Sequence, residues 1–187
     1  LSVNAFDIAE QLQTPVFVLT DLDIGMNDWM VKDLEWDDKF VPNRGKVLDE
    51  DALENMEQFH RYLDTDGDGI PYRTIPGVHP KGAYFTRGSG HNKFGGYTED
   101  ASEYQDVVDR LLIKWETAKS IVPSPIKDFK KKNKMAILSI GSCDDAIREA
   151  RDLMSKDGHD FNYLRVRAFP FSKDIEEFIN KHESVFV

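Results

Sequence analysis

Cysteine is almost missing from this chain: Cys143 is the single one in 187 residues. An internal disulfide is excluded, nothing ties the chain to an oxidising compartment, and the expected location is cytoplasmic. Long apolar runs are missing too. No stretch approaches the roughly 20 residues that span a bilayer, so no membrane partner is expected. Histidine pairs at zinc-motif spacing are absent, since His60, His79, His91, His159 and His182 are scattered. Positive charge is in deficit: 24 Lys and Arg against 34 Asp and Glu give a formal net charge of -10. Such a field repels phosphate backbones and anionic lipid, which argues against nucleic acid or a membrane surface as main partner.

What is present suffices for one good core, or one core and part of another, at 40% hydrophobic residues. Leu1, Ala5, Ile8, Ala9 and Leu12 recur at helical spacing, and Thr14-Pro15 leads into the apolar run "VFVL", residues 16–19. That run has the length and branching of a buried strand. A bare α-β unit has no second face to pack on, so residues 1–30 are expected to complete a sheet whose other strands lie upstream. Residues 31–98 read as an acidic connector and loop-rich arm. Aromatic anchors Trp36 and Phe40 punctuate it, a short helix carries Ala52, Met56, Phe59 and Leu63 on one side, and from Ile70 to Tyr97 prolines and glycines preclude long elements.

Residues 99–187 form the regular part. Tyr104, Val107, Val108, Leu111, Leu112, Trp115 and Ala118 make one helical stripe, with Asp100 or Ser102 available as cap. After the lysine-rich turn "KDFKKKNK", the segments "MAILSIGS", "CDDAIREARDLMSKDG", "FNYLRVRAF", "SKDIEEFINKHES" and "VFV" alternate as β-α-β-α-β. That order implies an α/β fold with a parallel sheet and right-handed crossovers. The final strand stops at Val187 without a turn, so the natural domain is expected to continue beyond it.

The stretch "RYLDTDGDGIPYRTIPG", residues 61–77, resembles a calcium loop. Asp64, Asp66 and Asp68 fall on the first, third and fifth ligand positions and Gly69 on the sixth-position bend. The twelfth position is Ile75 where a bidentate glutamate is needed, and Pro71 precludes the exiting helix. The same aspartates also fit a tight acidic turn that bonds its own amides. Asp64, Asp66 and Asp68 are therefore candidate ligands of a structural divalent ion, set against an ordinary turn. In "TRGSGHNKFGGY", Arg87 and His91 sit on a glycine-rich loop and are candidate contacts for an anionic ligand or a partner subunit. The turn "IGSCDDA" has one glycine where dinucleotide loops have three, and Ser142 with Asp145 reads as a helix cap.

Several motifs occur together and in order: "QTPVFVLTDLDIGMNDWM", "RYLDTDGDGIPYRTIPG", "GAYFTRGSGHNKFGGYTE", "DRLLIKWETA" and "YLRVRAFPF". On these the chain resembles the alpha subunits of 2-oxoacid:ferredoxin (acceptor) oxidoreductases, most closely the 2-oxoglutarate type. The resemblance implies that residues 1–30 end a pyrimidine-binding thiamine-diphosphate domain and that residues 99–187 form a truncated transketolase C-terminal-like domain. It implies an oxidative decarboxylation of a 2-oxoacid to an acyl-CoA, with thiamine diphosphate, magnesium and iron-sulfur clusters in the whole enzyme. The implied partners are the beta subunit, ferredoxin, coenzyme A and the 2-oxoacid. The family's catalytic residues fall on no position of this sequence, so the fragment is expected to supply structure and subunit interface, and to be inactive alone. The alternative from another class is a calcium-stabilised, non-enzymatic binding module built on Asp64, Asp66 and Asp68.

Overall fold

Gln13 adopts a left-handed backbone conformation, φ 49°, and so ends the first helix just before Pro15. In chain order the elements are α1 (Ser2–Leu12), α2 (Leu22–Met26), α3 (Glu50–Asn55), a 3₁₀ turn (Pro80–Gly82), α4 (Ala101–Ile121), β1 (Ile126–Asp128), β2 (Met135–Ile140), α5 (Asp144–Lys156), β3 (Asn162–Val166), α6 (Lys173–Asn180) and β4 (Ser184–Phe186). The computed structural model describes residues 1–85, 88–129 and 133–187. The chain forms two units: Leu1–Phe17 with Phe40–Ala118, and Val18–Lys39 with Lys119–Val187. Among the described residues no helix is long and apolar enough to cross a membrane.

Between α1 and α4 the first unit has little regular structure and is held by side chains that satisfy backbone groups. Asp49 caps α3 by accepting from the Ala52 amide at 2.9 Å. At the other end Lys81 Nζ donates to the carbonyls of Glu54 and Met56, at 2.6 and 3.0 Å. Those carbonyls are orphans of a helix end, so α3 stops at Asn55 instead of running on through Leu63 as the sequence spacing predicts. Six residues are too few to stand alone. The helix persists because Leu53 is fully buried in a cluster with Leu48 and Phe59, flanked by Met56 and Tyr72. Burying one such leucine contributes about 1.5–3 kcal/mol. Asp100 is the cap of α4: its carboxylate accepts from the Ser102 and Glu103 amides at 2.9 and 3.1 Å. Within that helix only Ala118 is buried; Leu112 and Trp115 of the apolar stripe stay exposed.

The second unit contains the sheet, in the order β1-β3-β2-β4. β2 pairs in parallel with β3 and with β4, with Leu138 opposite Leu164 and Ile137 opposite Phe186. Two βαβ crossovers through α5 and α6 are thus present, as the alternating pattern predicts. Ala136, Leu164 and Val166 from the strands meet Ile175 and Phe178 from α6 in the core. The lysine-rich turn needs a correction: its first two residues, Lys127 and Asp128, join Ile126 in β1, antiparallel to β3. The free edge of β3 supplies the pairing that three residues could not provide for themselves. Lys130, Lys131 and Lys132 lie outside the described residues, while Lys127 pairs with Asp174 at 2.8 Å.

Residues 16–19, expected as a buried strand, form no ladder among the described residues, and Phe17 and Leu19 are exposed. A strand exists only as one partner of a pair, and these residues have no neighbour to bond. The α half of the expected α-β unit is formed; the β half is extended chain.

Candidate functional site

The Asp-Gly loop is built against α4. Gly69 has φ +80°, and a Cβ added there would stand 2.2 Å from the Lys114 amide nitrogen and 2.6 Å from the Arg110 carbonyl oxygen. Only glycine allows both the left-handed backbone and this approach. α4 then fastens the loop: Thr117 Oγ1 donates to the Asp68 carbonyl at 2.7 Å, and Arg110 Nη1 donates to the Gly69 carbonyl at 2.9 Å.

Each of the three aspartates has a different task. Asp64 turns inward on its own loop and accepts from the amides of Asp66, Gly67 and Gly69, at 3.2, 3.0 and 2.7 Å. Lys46 Nζ sits 2.8 Å from Asp66 Oδ2 and 2.8 Å from Asp68 Oδ1, and also donates to the Ile70 carbonyl at 3.0 Å. An ammonium thus occupies the space between two carboxylates where a cation is wanted. Burial pulls the Lys46 ammonium down, but hydrogen bonds and charge from Asp66 and Asp68 outweigh it and leave it above its ordinary value. The Lys46 hydrogen bond in turn holds the Asp66 carboxyl below its ordinary value. Among the described residues no three His, Cys, Asp or Glu side chains gather as a metal site. Lys46 lies 18 positions before Asp64 in the chain, and no spacing rule announces it.

On the glycine-rich loop, His91 stacks on Tyr62 with ring centroids 3.9 Å apart, and its Nδ1–H donates to the Asn92 carbonyl at 3.0 Å. Asn92 orders the same loop, its Oδ1 accepting from the Phe94 and Gly96 amides. Arg87, the other residue singled out on this loop, lies outside the described residues. The structure does not gather the histidines: His79 bonds Glu54, and His182 bonds the Phe178 carbonyl.

In the second unit the turn from β2 to α5 is closed by the chain's own acid. Asp21 Oδ2 accepts from the Ser142 amide at 3.1 Å, which supplies at a helix start the negative charge that such places favour. Ser142 is not the cap predicted from its spacing to Asp145. Cys143 occupies the cap position without a side-chain bond into the helix, and Ser142 Oγ reaches Asp23 instead. Cys143 is exposed, with its thiol 3.5 Å from the Ile140 carbonyl.

A buried polar network lies under this turn. Tyr163 Oη donates to Asp144 Oδ1 at 2.7 Å and lies 2.7 Å from Ser139 Oγ, while Arg148 and Arg165 reach Asp144 Oδ2 at 3.0 and 3.3 Å. Burial alone would push Asp144 up; the Tyr163 hydroxyl and the two guanidinium groups outweigh it and hold the carboxyl below its ordinary value. Burial pushes the Tyr163 phenol up to about 12, and Asp144 adds to the push. Every member is paired, so the network fixes the start of α5 over β3 and leaves no free acid or base. The motif "YLRVRAFPF" contains Tyr163 and Arg165, and "IGSCDDA" contains Asp144, but neither announced a polar network. The clue that was available is a tyrosine and an arginine in an apolar strand, "NYLRV".

No known protein-family profile matches the chain, and no curated protein matches it. Its fold, however, matches a solved structure described as a 2-oxoglutarate:ferredoxin oxidoreductase from Magnetococcus marinus with 2-oxoglutarate, coenzyme A and succinyl-CoA bound. The TM-score is 0.78 at 18% identity, over 96% of this chain and 30% of that one. At such identity the likeness establishes the fold: nearly the whole of this chain is built like under a third of that one.

Proposed function

We propose that this chain is part of the alpha subunit of a 2-oxoacid:ferredoxin oxidoreductase, with 2-oxoglutarate as the favoured substrate and an acyl-CoA as product. One observation carries the reading most: the match extends over 96% of the chain at a TM-score of 0.78. A chance likeness in one βαβαβ sheet would leave the first unit unmatched. The ordered motifs of the sequence support the same assignment on separate grounds. In this proposal residues 1–30 end a pyrimidine-binding domain, residues 31–98 form the connector and arm, and residues 99–187 form the transketolase C-terminal-like domain.

The chain's part in such an enzyme is structural. An iron-sulfur cluster takes several cysteine thiolates, and Cys143 is the single cysteine; the residues present do not fit one. The resemblance assigns thiamine diphosphate and magnesium to the beta subunit. What this chain does offer is apolar surface. Trp29, Met30, Leu34 and Trp36 are 61, 101, 92 and 84% exposed on an acidic segment with little regular structure. Side chains of this size cost free energy in water and suit burial under a partner subunit. The calcium-module reading gains nothing from the loop, because Lys46 already stands between Asp66 and Asp68.

The test is immunodepletion. Antibodies against this chain, added to extract of the organism that makes it, are expected to remove most of the viologen-dye reduction that depends on both 2-oxoglutarate and coenzyme A. Full activity in an extract cleared of the chain would overturn the proposal.

A further inference from the structure

Three cations of the first unit converge on one cavity of about 190 Å³, lined by Arg61, Arg110 and Lys114 together with Gln13 and Tyr62. That volume is far above the roughly 10–15 Å³ that a single water needs. In a chain of net charge -10 such a cluster requires a reason. Among the described residues no carboxylate stands within ion-pair distance of any of the three. The nearest acid in effect is Asp64, whose field reaches Arg110 but whose oxygens accept from three loop amides. Arg110 and Lys114 stand one helical turn apart on α4, a spacing at which like charges repel.

The local partners only partly compensate. Lys114 Nζ donates to the Leu12 and Gln13 carbonyls at 3.1 and 3.5 Å, at the negative end of α1. Arg110 spends Nη1 on Gly69, but its Nε–H is buried without an acceptor. Gln13 donates through Nε2 to the Pro71 carbonyl at 2.6 Å, while its Oε1 is buried without a donor. Arg61 makes contact with the Tyr62 ring, at 5.8 Å from the centroid. Burial, then the charges of Arg110 and Arg61, push Lys114 below its ordinary value. The orphan atoms lie in the buried parts of Arg110 and Gln13, and the positive charge gathered at the cavity meets no carboxylate at ion-pair distance among the described residues.

We propose that this cavity is a binding site for hydrogen phosphate, or for the phosphate group of a small monoester, held by Arg61, Arg110 and Lys114. One such ion answers that charge: its oxygens accept from guanidinium N–H groups of Arg61 and Arg110 and from the Lys114 ammonium. Tyr62 forms one wall, and His91 stacks behind it. The site is independent of the enzyme assignment, and its readout is binding.

Calorimetric titration of the full chain with sodium phosphate, against sodium chloride at equal ionic strength, tests it. Saturable binding of phosphate and none of chloride is expected. Because Arg110 and Lys114 also fasten the loop and α1, the variant to use first is Arg61→Gln, which removes a charge without removing a backbone hydrogen bond. It is expected to weaken phosphate by about tenfold with an unchanged melting temperature in the absence of phosphate. Lys114→Gln is expected to weaken it further. AMP as competitor separates the sources: displacement of phosphate identifies a monoester group as the ligand, and failure to displace identifies the free ion, and both support the site. No saturable phosphate binding, or binding that Arg61→Gln leaves intact, overturns it.

Discussion

Replacing Arg151 by methionine is expected to destabilise the second unit by about 2–4 kcal/mol, and the structure says where that energy lies. The Arg151 side chain is 2% exposed. Its Nε and Nη2 both donate to the Phe161 carbonyl, at 3.1 and 2.9 Å. Its Nη1 meets Asp128 Oδ2 at 2.6 Å and Nη2 the Asp128 carbonyl at 3.3 Å. One guanidinium from α5 thus joins β1 to the approach to β3. The ion pair is the lesser part, because Asp128 is 47% exposed and a pair so open to water contributes about 1 kcal/mol or less. Stripping both donors from a buried carbonyl costs about 1–3 kcal/mol. The Arg151 guanidinium lies over the Tyr163 ring, 5.4 Å from its centroid, and methionine keeps apolar contact there, so the change reports mainly on hydrogen bonds. Urea unfolding followed by circular dichroism measures it, with the midpoint falling at unchanged slope. Asp128→Asn in the same assay is expected to cost under about 1 kcal/mol. If Arg151→Met costs less than that, or if Asp128→Asn costs as much as Arg151→Met, the energy is not in the carbonyl and the reasoning fails.

The loop glycines offer a contrast of geometry. Gly67 and Gly69 both have positive φ, but a Cβ on Gly67 meets nothing within 4 Å while one on Gly69 collides with the backbone of α4; Gly67→Ala is expected to cost about 1 kcal/mol and Gly69→Ala several times more, or to yield no soluble protein. Tyr163 sets an alkaline limit: its folded value of about 12 exceeds the ordinary 10.0, so its contribution is complete below about pH 10 and is lost as pH rises toward 12. Tyr163→Phe is expected to flatten that limb in urea midpoints measured against pH. Asp144 acts in the opposite sense: its folded value is lowered from 3.8, so its stabilisation is present above that pH and is lost as pH falls through the lower folded value, and Asp144→Asn removes this acid dependence. Calcium separates the two readings of the Asp-Gly loop. Millimolar calcium is expected to leave the wild-type melting temperature within about 1 °C and to raise that of Lys46→Met; a wild-type rise of several degrees that Asp66→Ala abolishes would establish a calcium site.

What the sequence conveyed was local. Apolar runs with intervening polar helices mark β2, α5, β3, α6 and β4, because each segment is long enough to display its own period. β1 is three residues between prolines and lysines, and it becomes a strand only because β3 offers an edge. The run at 16–19 shows the reverse: strand composition without a partner stays extended and exposed. α3 ends where Lys81, 26 positions beyond Asn55, captures its carbonyls, and no propensity scale holds that information. The sites divide in the same way. Asp64, Asp66 and Asp68 stand out as a motif, but their cation arrives from Lys46. Likewise Arg61, Arg110 and Lys114 look like unremarkable surface cations until folding brings α4 against the Asp-Gly loop. A resemblance of ordered motifs anticipated the fold that the structural match establishes.

As proposed, this chain is a supporting part of a larger oxidoreductase. The direct measurement is to tag it at its gene, purify it under native conditions, and determine the mass and composition of what comes with it. The account predicts a large complex containing thiamine diphosphate, iron and a cysteine-rich partner in equal amounts with the tagged subunit. A homogeneous 21.5 kDa monomer carrying neither iron nor thiamine diphosphate would contradict it.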